Sequence, residues 1–201
     1  MDSSAAHSDR ILLVDKPYTW TSFDVVNKLR YQLGVRKIGH AGTLDPLATG
    51  LLIICTGKMT KEIERFMGLE KEYTGAFVLG QSTPSHDKET EVDQTWAIDH
   101  LSLEQIQKTT ELFQGVVQQV PPQHSAIRIG GKRAYALARK GKDPELKPRE
   151  VVIHELQLTD IQLPVIRFRM VCSKGTYIRS FVRDFGKALG VGAFLSELCR
   201  T

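Results

Sequence analysis

The sequence predicts an α+β domain, with a mixed, mostly antiparallel sheet and flanking helices. Three observations predict it. Strand-like alternation is plain in Val165-Ile166-Arg167-Phe168-Arg169-Met170-Val171. Helix-start chemistry stands at Thr21-Ser22-Phe23-Asp24 and at Ser102 with Gln105. Strands and helices are mixed without regular βαβ alternation, which argues against a doubly wound parallel sheet.

The elements follow in order. Residues 1–9 are polar and read as a disordered tail. Ile11 to Val14 is a buried strand, and a helix runs from Thr21 to about Leu33, where Gly34 stops it. Residues 37–50 hold Gly39, Gly42, Pro46 and Gly50 and read as a loop. Leu51 to Thr56 is a strand, Met59 to Met67 a short helix closed by Gly68, and Tyr73 to Leu79 a strand. Residues 81–95 are turn-rich. A capped helix follows from Ser102 towards Gly115, then an extended stretch from Gln118 to Ile129. Lys132 to Lys140 reads as a short basic helix. Val151 to Leu158 and Val165 to Cys172 are strands, Thr176 caps a helix to about Leu189, and Ala193 to Leu198 is a last strand.

Composition narrows the function classes. The chain has 201 residues, 41% of them hydrophobic and 25% charged, which is ordinary globular composition. The longest plain apolar stretch, Leu51 to Cys55, is far too short to span a bilayer, and the first residues lack the order of a signal peptide. Three widely spaced cysteines and six scattered histidines argue against a disulfide framework or a zinc site. A reducing, cytoplasmic setting is expected. The net charge of +4 is unevenly placed: the positive excess lies in the last 81 residues, most densely in 121–150. Such asymmetry suits a polyanionic partner, although a charge run is also a common solvated face.

Four segments carry candidate chemistry. In Gly39 to Gly50, Asp45 precedes Pro46 and lies among Leu44, Leu47 and Leu51. A proline disfavours helical backbone at the residue before it. Asp45 is either a turn aspartate binding its own backbone or a nucleophile or base in a dry pocket. In Lys174-Gly175-Thr176-Tyr177-Ile178-Arg179, Arg179 falls in a helix's first turn, an end that favours anions. It therefore calls for an anionic partner, a buried carboxylate or an RNA phosphate, unless it is a surface arginine. In Lys71-Glu72-Tyr73 the tyrosine is a core or rim residue, or a platform for an unstacked base. The basic segment from His124 to Arg149 includes Arg128, Lys132, Arg133, Arg139 and Lys140 and suits a phosphate backbone. A nucleotide-hydrolysing P-loop is excluded: Gly50 and Gly57-Lys58 are too far apart, and Met59 follows the lysine.

Together these segments resemble one family. His40-Ala41-Gly42-Thr43-Leu44-Asp45-Pro46-Leu47-Ala48-Thr49-Gly50-Leu51-Leu52 resembles the catalytic motif of bacterial tRNA pseudouridine-55 synthases, the TruB type. Lys71-Glu72-Tyr73 resembles their tyrosine motif and Ser173 to Arg179 their arginine motif. Val14-Asp15-Lys16-Pro17 with Thr21-Ser22, and Gly190 to Ala193 with Leu198 to Thr201, match the family's opening and close. The resemblance covers residues 10–201.

It implies the pseudouridine synthase fold and an isomerisation of uridine in the T-arm loop of tRNA, at position 55, without cofactor or metal. Asp45 would be the catalytic carboxylate, paired with Arg179. Tyr73 would stack on the everted uracil or transfer a proton. Tyr177 and Leu198 would line the base pocket, His40 would touch displaced nucleotides, and Lys61 would support the site. Residues 124–149 would be a basic insertion closing on RNA. A monomer with no membrane and no obligatory protein partner is expected.

Two departures stand out. The chain stops at Thr201, where larger members continue into a small RNA-binding domain. Pro84 stands where many members have an acidic residue, so that residue's contact is lost or moved to Asp87. The competing readings are a guide-RNA-dependent synthase subunit and a non-catalytic RNA-binding or tRNA-folding protein.

Overall fold

A computed structural model describes residues 9–123 and 146–201, with the backbone of Arg128–Ile129 and Lys132–Arg133. The strands are β1 (Ile11–Lys16), β2 (Ile38–Ala41), β3 (Ala48–Thr56), β4 (Lys71–Leu79), β5 (Gln81–Ser82), β6 (Gln94–Thr95), β7 (Gly115–Gln119), β8 (Arg128–Ile129), β9 (Lys132–Arg133), β10 (Arg149–Gln162), β11 (Val165–Cys172) and β12 (Ala193–Arg200). The helices among the described residues are α1 (Ser22–Leu33), α2 (Ile63–Gly68), α3 (Leu103–Glu111) and α4 (Ile178–Ala188), with a 3₁₀ turn at Gly57–Glu62. The fold is α+β with a mostly antiparallel sheet. The chain divides into two compact units: residues to Thr74 with Glu197–Thr201, and Gly75–Ser196. β4 and β12 cross this division, so each unit holds part of both.

In the first unit, β3 is the central strand. β1 pairs antiparallel along one edge, from Ile11↔Cys55 to Lys16↔Gly50. The other edge is shared. β2 takes its far half, Ile38↔Thr56 to Ala41↔Ile53, and the end of β12 runs parallel to its start, Leu198↔Ala48 to Arg200↔Gly50. Val25 and Val26 of α1 pack on Leu52 and Ile54 of β3, with Leu12, Val14, Leu29 and Ile38 around them. Thr21 caps α1 in a full capping box with Asp24, and Gly34 closes it at φ 61°, as the local signals predict.

The second unit has the order β12–β4–β11–β10–β7. Its core is aromatic: Phe77 and Phe168 pack with Phe181 and Phe185 of α4, and Phe113 joins them in edge-on and tilted contacts at centroid distances of 5.3–6.3 Å. Ser102 and Gln105 form the expected capping box on α3.

Four expectations are corrected. Residues 37–50 are not one loop, because Ile38–Ala41 is a strand and β3 begins at Ala48. Gly50 marks a close approach rather than a turn: at φ 94° any Cβ would fall 2.2 Å from the Arg200 carbonyl oxygen. Lys132 and Arg133 are paired in a two-residue strand with Arg128 and Ile129, not in a helix. Residues 134–140 of that expected helix lie outside the described residues. Thr176 does not cap α4. Its hydroxyl donates to Ser173 O at 2.9 Å, and Tyr177 is the N-cap. Asp9 belongs to the fold, since its carboxylate accepts from Lys58 N at 2.8 Å, while residues 1–8 of the expected tail lie outside the described residues.

Candidate active site

Asp45 lies on the six-residue connection from β2 to β3, half-buried. It opens a tight turn: Ala48 N donates to Asp45 O at 3.0 Å, with Pro46 in the second position that proline's fixed φ favours. Three side chains brace this connection. Ser22 Oγ, at the start of α1, accepts from Leu44 N at 2.9 Å and donates to Leu44 O at 3.3 Å. Lys16, fully buried at the end of β1, donates from Nζ to Pro46 O at 3.1 Å, to Pro17 O at 2.9 Å and to Trp20 O. Arg200, buried at the end of β12, donates from Nε to Leu51 O at 2.7 Å and from Nη2 to Gly42 O at 3.1 Å. The backbone on both sides of the carboxylate is therefore held by donors from three other elements.

The charges around the connection are set by burial. Desolvation pushes the Lys16 ammonium below the ordinary lysine range, and the negative charges of Asp45 and Asp24 oppose this. Burial, together with the positive Arg200, lowers the His40 pKa, so its imidazole is neutral at pH 7. His40 sits on β2 with a buried Nδ1 that meets no hydrogen-bond partner among the described residues. Tyr73 is buried on β4, Leu198 is half-buried opposite Ala48, and Lys61 is exposed on the 3₁₀ turn.

In the second unit, Arg179 is the second residue of α4 and is almost wholly buried. Its Nε lies 3.6 Å from Oδ2 of buried Asp87, and Nη1 donates to Ser85 O at 3.2 Å. One anionic partner of the arginine is thus a buried carboxylate within this unit. Asp87 is itself fixed: Oδ1 accepts from Glu89 N at 2.9 Å, and its carbonyl accepts from the hydroxyls of Thr83 and Ser85. Tyr177, the α4 N-cap, is held by Gln119 at both its backbone nitrogen and its carbonyl. Asp87, three residues after Pro84, is the acid that meets the arginine here.

Of the predicted phosphate contacts, Arg128, Lys132 and Arg133 lie in the β8–β9 pair, and Arg139 and Lys140 lie outside the described residues. Arg149 is the first residue of β10, within the sheet. Sequence reasoning assigned no role to Lys16, Ser22, Arg200 or Gln119. The first three stand inside the quoted opening and closing motifs, which was their only signal. Among the described residues no group of three or more His, Cys, Asp or Glu side chains is placed to hold a metal ion. None of the helices among them is long and apolar enough to cross a membrane.

Residues 30–178 match the model of the TruB family pseudouridylate synthase N-terminal domain. The tRNA pseudouridine synthase B of Parabacteroides distasonis is 53% identical over 197 residues, 95% of this chain and 84% of that protein. That of Flavobacterium johnsoniae is 53% identical over 199 residues, 96% and 87%. Among solved structures, a crystal structure of a Cbf5-Nop10-Gar1 complex contains a chain 28% identical at a TM-score of 0.75, covering all of this chain and 50% of that one. An H/ACA RNP bound to a substrate RNA containing 2′-deoxyuridine has one 27% identical at 0.69, covering 95% and 46%. This chain therefore spans about half of those solved chains. A family model matching most of the sequence, over a fold shared with these structures, settles the membership: the chain belongs to the TruB family of pseudouridylate synthases.

Proposed function

We propose that the chain is a tRNA pseudouridine synthase that isomerises uridine in the T-arm loop, at position 55, with Asp45 as the reacting carboxylate. The observation that carries this reading is the Asp45 connection. A half-buried acid lies within the family's glycine-rich motif, and Lys16, Ser22 and Arg200 hold the backbone on either side of it. Identity above 50% to proteins named tRNA pseudouridine synthase B supports the substrate class.

The chemistry suits such a group. Isomerisation breaks the C1′–N1 bond, turns the uracil and forms C1′–C5, while C5 gives up its proton and N1 gains one. Electrons and atoms balance within the nucleotide, so the reaction draws on no oxidant or reductant. The carboxylate assists departure of the base by stabilising or trapping C1′, or by adding to C6 of the ring. The uridine must leave its stack, which costs a few kcal/mol that RNA contacts offset. Arg179, paired with Asp87, serves the everted base in this reading, and Tyr73 stacks on that base or moves a proton. Tyr177 and Leu198 line the pocket, His40 meets displaced nucleotides, and Lys61 supports the site. Arg128, Lys132, Arg133, Arg139 and Lys140 bind phosphates. The protein acts in the cytoplasm as a monomer on free tRNA.

The solved structures that share this fold come from a Cbf5-Nop10-Gar1 complex and an H/ACA RNP bound to a substrate RNA, so a guide-dependent subunit is the second reading. The test is a tRNA transcript incubated with the purified chain and mapped for pseudouridine, beside Asp45→Asn. Conversion of bare tRNA at a single T-loop uridine, abolished in the variant with tRNA affinity kept, is expected. Inactivity without a guide RNA supports the second reading. Full turnover by Asp45→Asn removes Asp45 from the mechanism.

A further inference from the structure

The segment Gly175–Arg183 carries both Tyr177 and Arg179, and it is gripped by the two strands that flank residues 121–148. Gln119, buried at the end of β7, meets the Tyr177 backbone with both ends of its amide. Its Oε1 accepts from Tyr177 N at 2.8 Å, and its Nε2 donates to Tyr177 O at 3.1 Å. The next residue continues the grip: Val120 O accepts from Ser180 Oγ at 2.8 Å and from Arg183 Nη2 at 3.0 Å. Arg149 pairs with Gln119 in the β10–β7 register. Its guanidinium donates to Gly175 O and lies 4.5 Å from the centroid of the Tyr177 ring.

These contacts have a specific consequence. Tyr177 is the N-cap of α4, and no side chain caps that helix end in the usual way. Gln119 instead holds the N-cap peptide on both sides, as a neighbouring strand would. Arg149 holds the ring by stacking, which a planar guanidinium does and an ammonium does poorly. A tilt of this one residue would swing the Tyr177 ring and, two residues on, the Arg179 side chain. Misplacement of about 1 Å in a reacting arrangement costs on the order of a hundredfold in rate.

We propose that Gln119 and Arg149 are positioning residues for the isomerisation, fixing the backbone and ring of Tyr177 and through them the direction of Arg179. This rests on the reading in which Tyr177 and Arg179 serve the everted base. Gln119→Glu is nearly isosteric. It keeps the acceptor for Tyr177 N but sets an anionic oxygen against Tyr177 O. Arg149→Lys keeps the charge and loses the stacked plane.

The test is steady-state and single-turnover conversion of a tRNA transcript by the full chain, with tRNA Kd measured at several salt concentrations and thermal melting in parallel. In Arg149→Lys, kcat is expected to fall about tenfold, with Kd and its salt dependence unchanged. NMR of tyrosine-labelled protein should show one displaced ring resonance. Gln119→Glu should lose more in kcat. If it fails to fold, Arg149→Lys alone decides. Wild-type kcat in Arg149→Lys overturns the proposal, as does a loss confined to Kd with a reduced salt slope, which would make Arg149 a phosphate contact. A wild-type chain that converts no tRNA overturns the functional reading itself, and the tyrosine spectrum still reports whether Arg149 holds the ring.

Discussion

The Arg179 guanidinium lies 3.6 Å from the Asp87 carboxylate, with both side chains almost wholly buried. Removing one partner of a buried ion pair is costly because the other charge stays desolvated. Asp87→Ala is expected to destabilise the chain by about 3 kcal/mol and to lower the rate of tRNA conversion. Asp87→Asn keeps the acceptor for Glu89 N and should lose less stability while still slowing the reaction. Thermal melts and single-turnover rates measure both. Wild-type behaviour in the two variants would show that Arg179 does not depend on this acid.

Beside that pair, His86 carries a built-in acid sensitivity. Burial, with Arg183 and Arg179 close by, lowers its pKa from 6.5 to about 4, while Asp184 and Asp87 pull the other way. The unfolded chain binds the proton near 6.5 and the folded chain only near 4. Stability is therefore full above pH 6.5 and falls as the pH drops towards 4, by at most about 3 kcal/mol. His86 has a φ of 61°, a conformation asparagine tolerates. His86→Asn is expected to flatten the melting temperature between pH 6.5 and 4. An unchanged pH profile would assign that sensitivity to other groups.

Lys16 is a further buried cation, and its ammonium answers three backbone carbonyls. Lys16→Met keeps the bulk but leaves those oxygens without this donor. A loss of about 3 kcal/mol is expected, lowering the melting temperature by roughly 6–12 °C. Activity at low temperature should fall far less than stability, because the carboxylate of Asp45 remains. A variant as stable as wild type would mean that water replaces the ammonium.

The basic segment makes a separate prediction. Replacing Lys132, Arg133 and Arg139 together with alanine should weaken tRNA binding and reduce the slope of log affinity against log salt by about 2–3. Filter binding across salt concentrations measures it. Unchanged affinity at every salt concentration would give this segment another role.

Much of this was legible locally. Capping boxes at Thr21 and Ser102 and the alternation of β11 depend on neighbouring residues, and they appear where expected. The Asp45, Tyr73 and Arg179 motifs are contiguous strings that can be read directly. Gly39 and Gly50 misled, because glycine in a strand looks the same in sequence as glycine in a turn. In Gly50 the deciding neighbour is Arg200, which no local pattern connects to it.

The sequence by itself determined the capped helices, the alternating strands, the family motifs and the acid on which the proposed chemistry turns. Tertiary structure alone decided what holds them. Arg200 reaches Leu51 across 149 residues, Gln119 reaches Tyr177 across 58, and Arg179 finds Ser85 across 94. The physical reason is that caps and periodicity arise from bonds within a turn or two of chain. A buried donor finds its acceptor only after distant strands have paired.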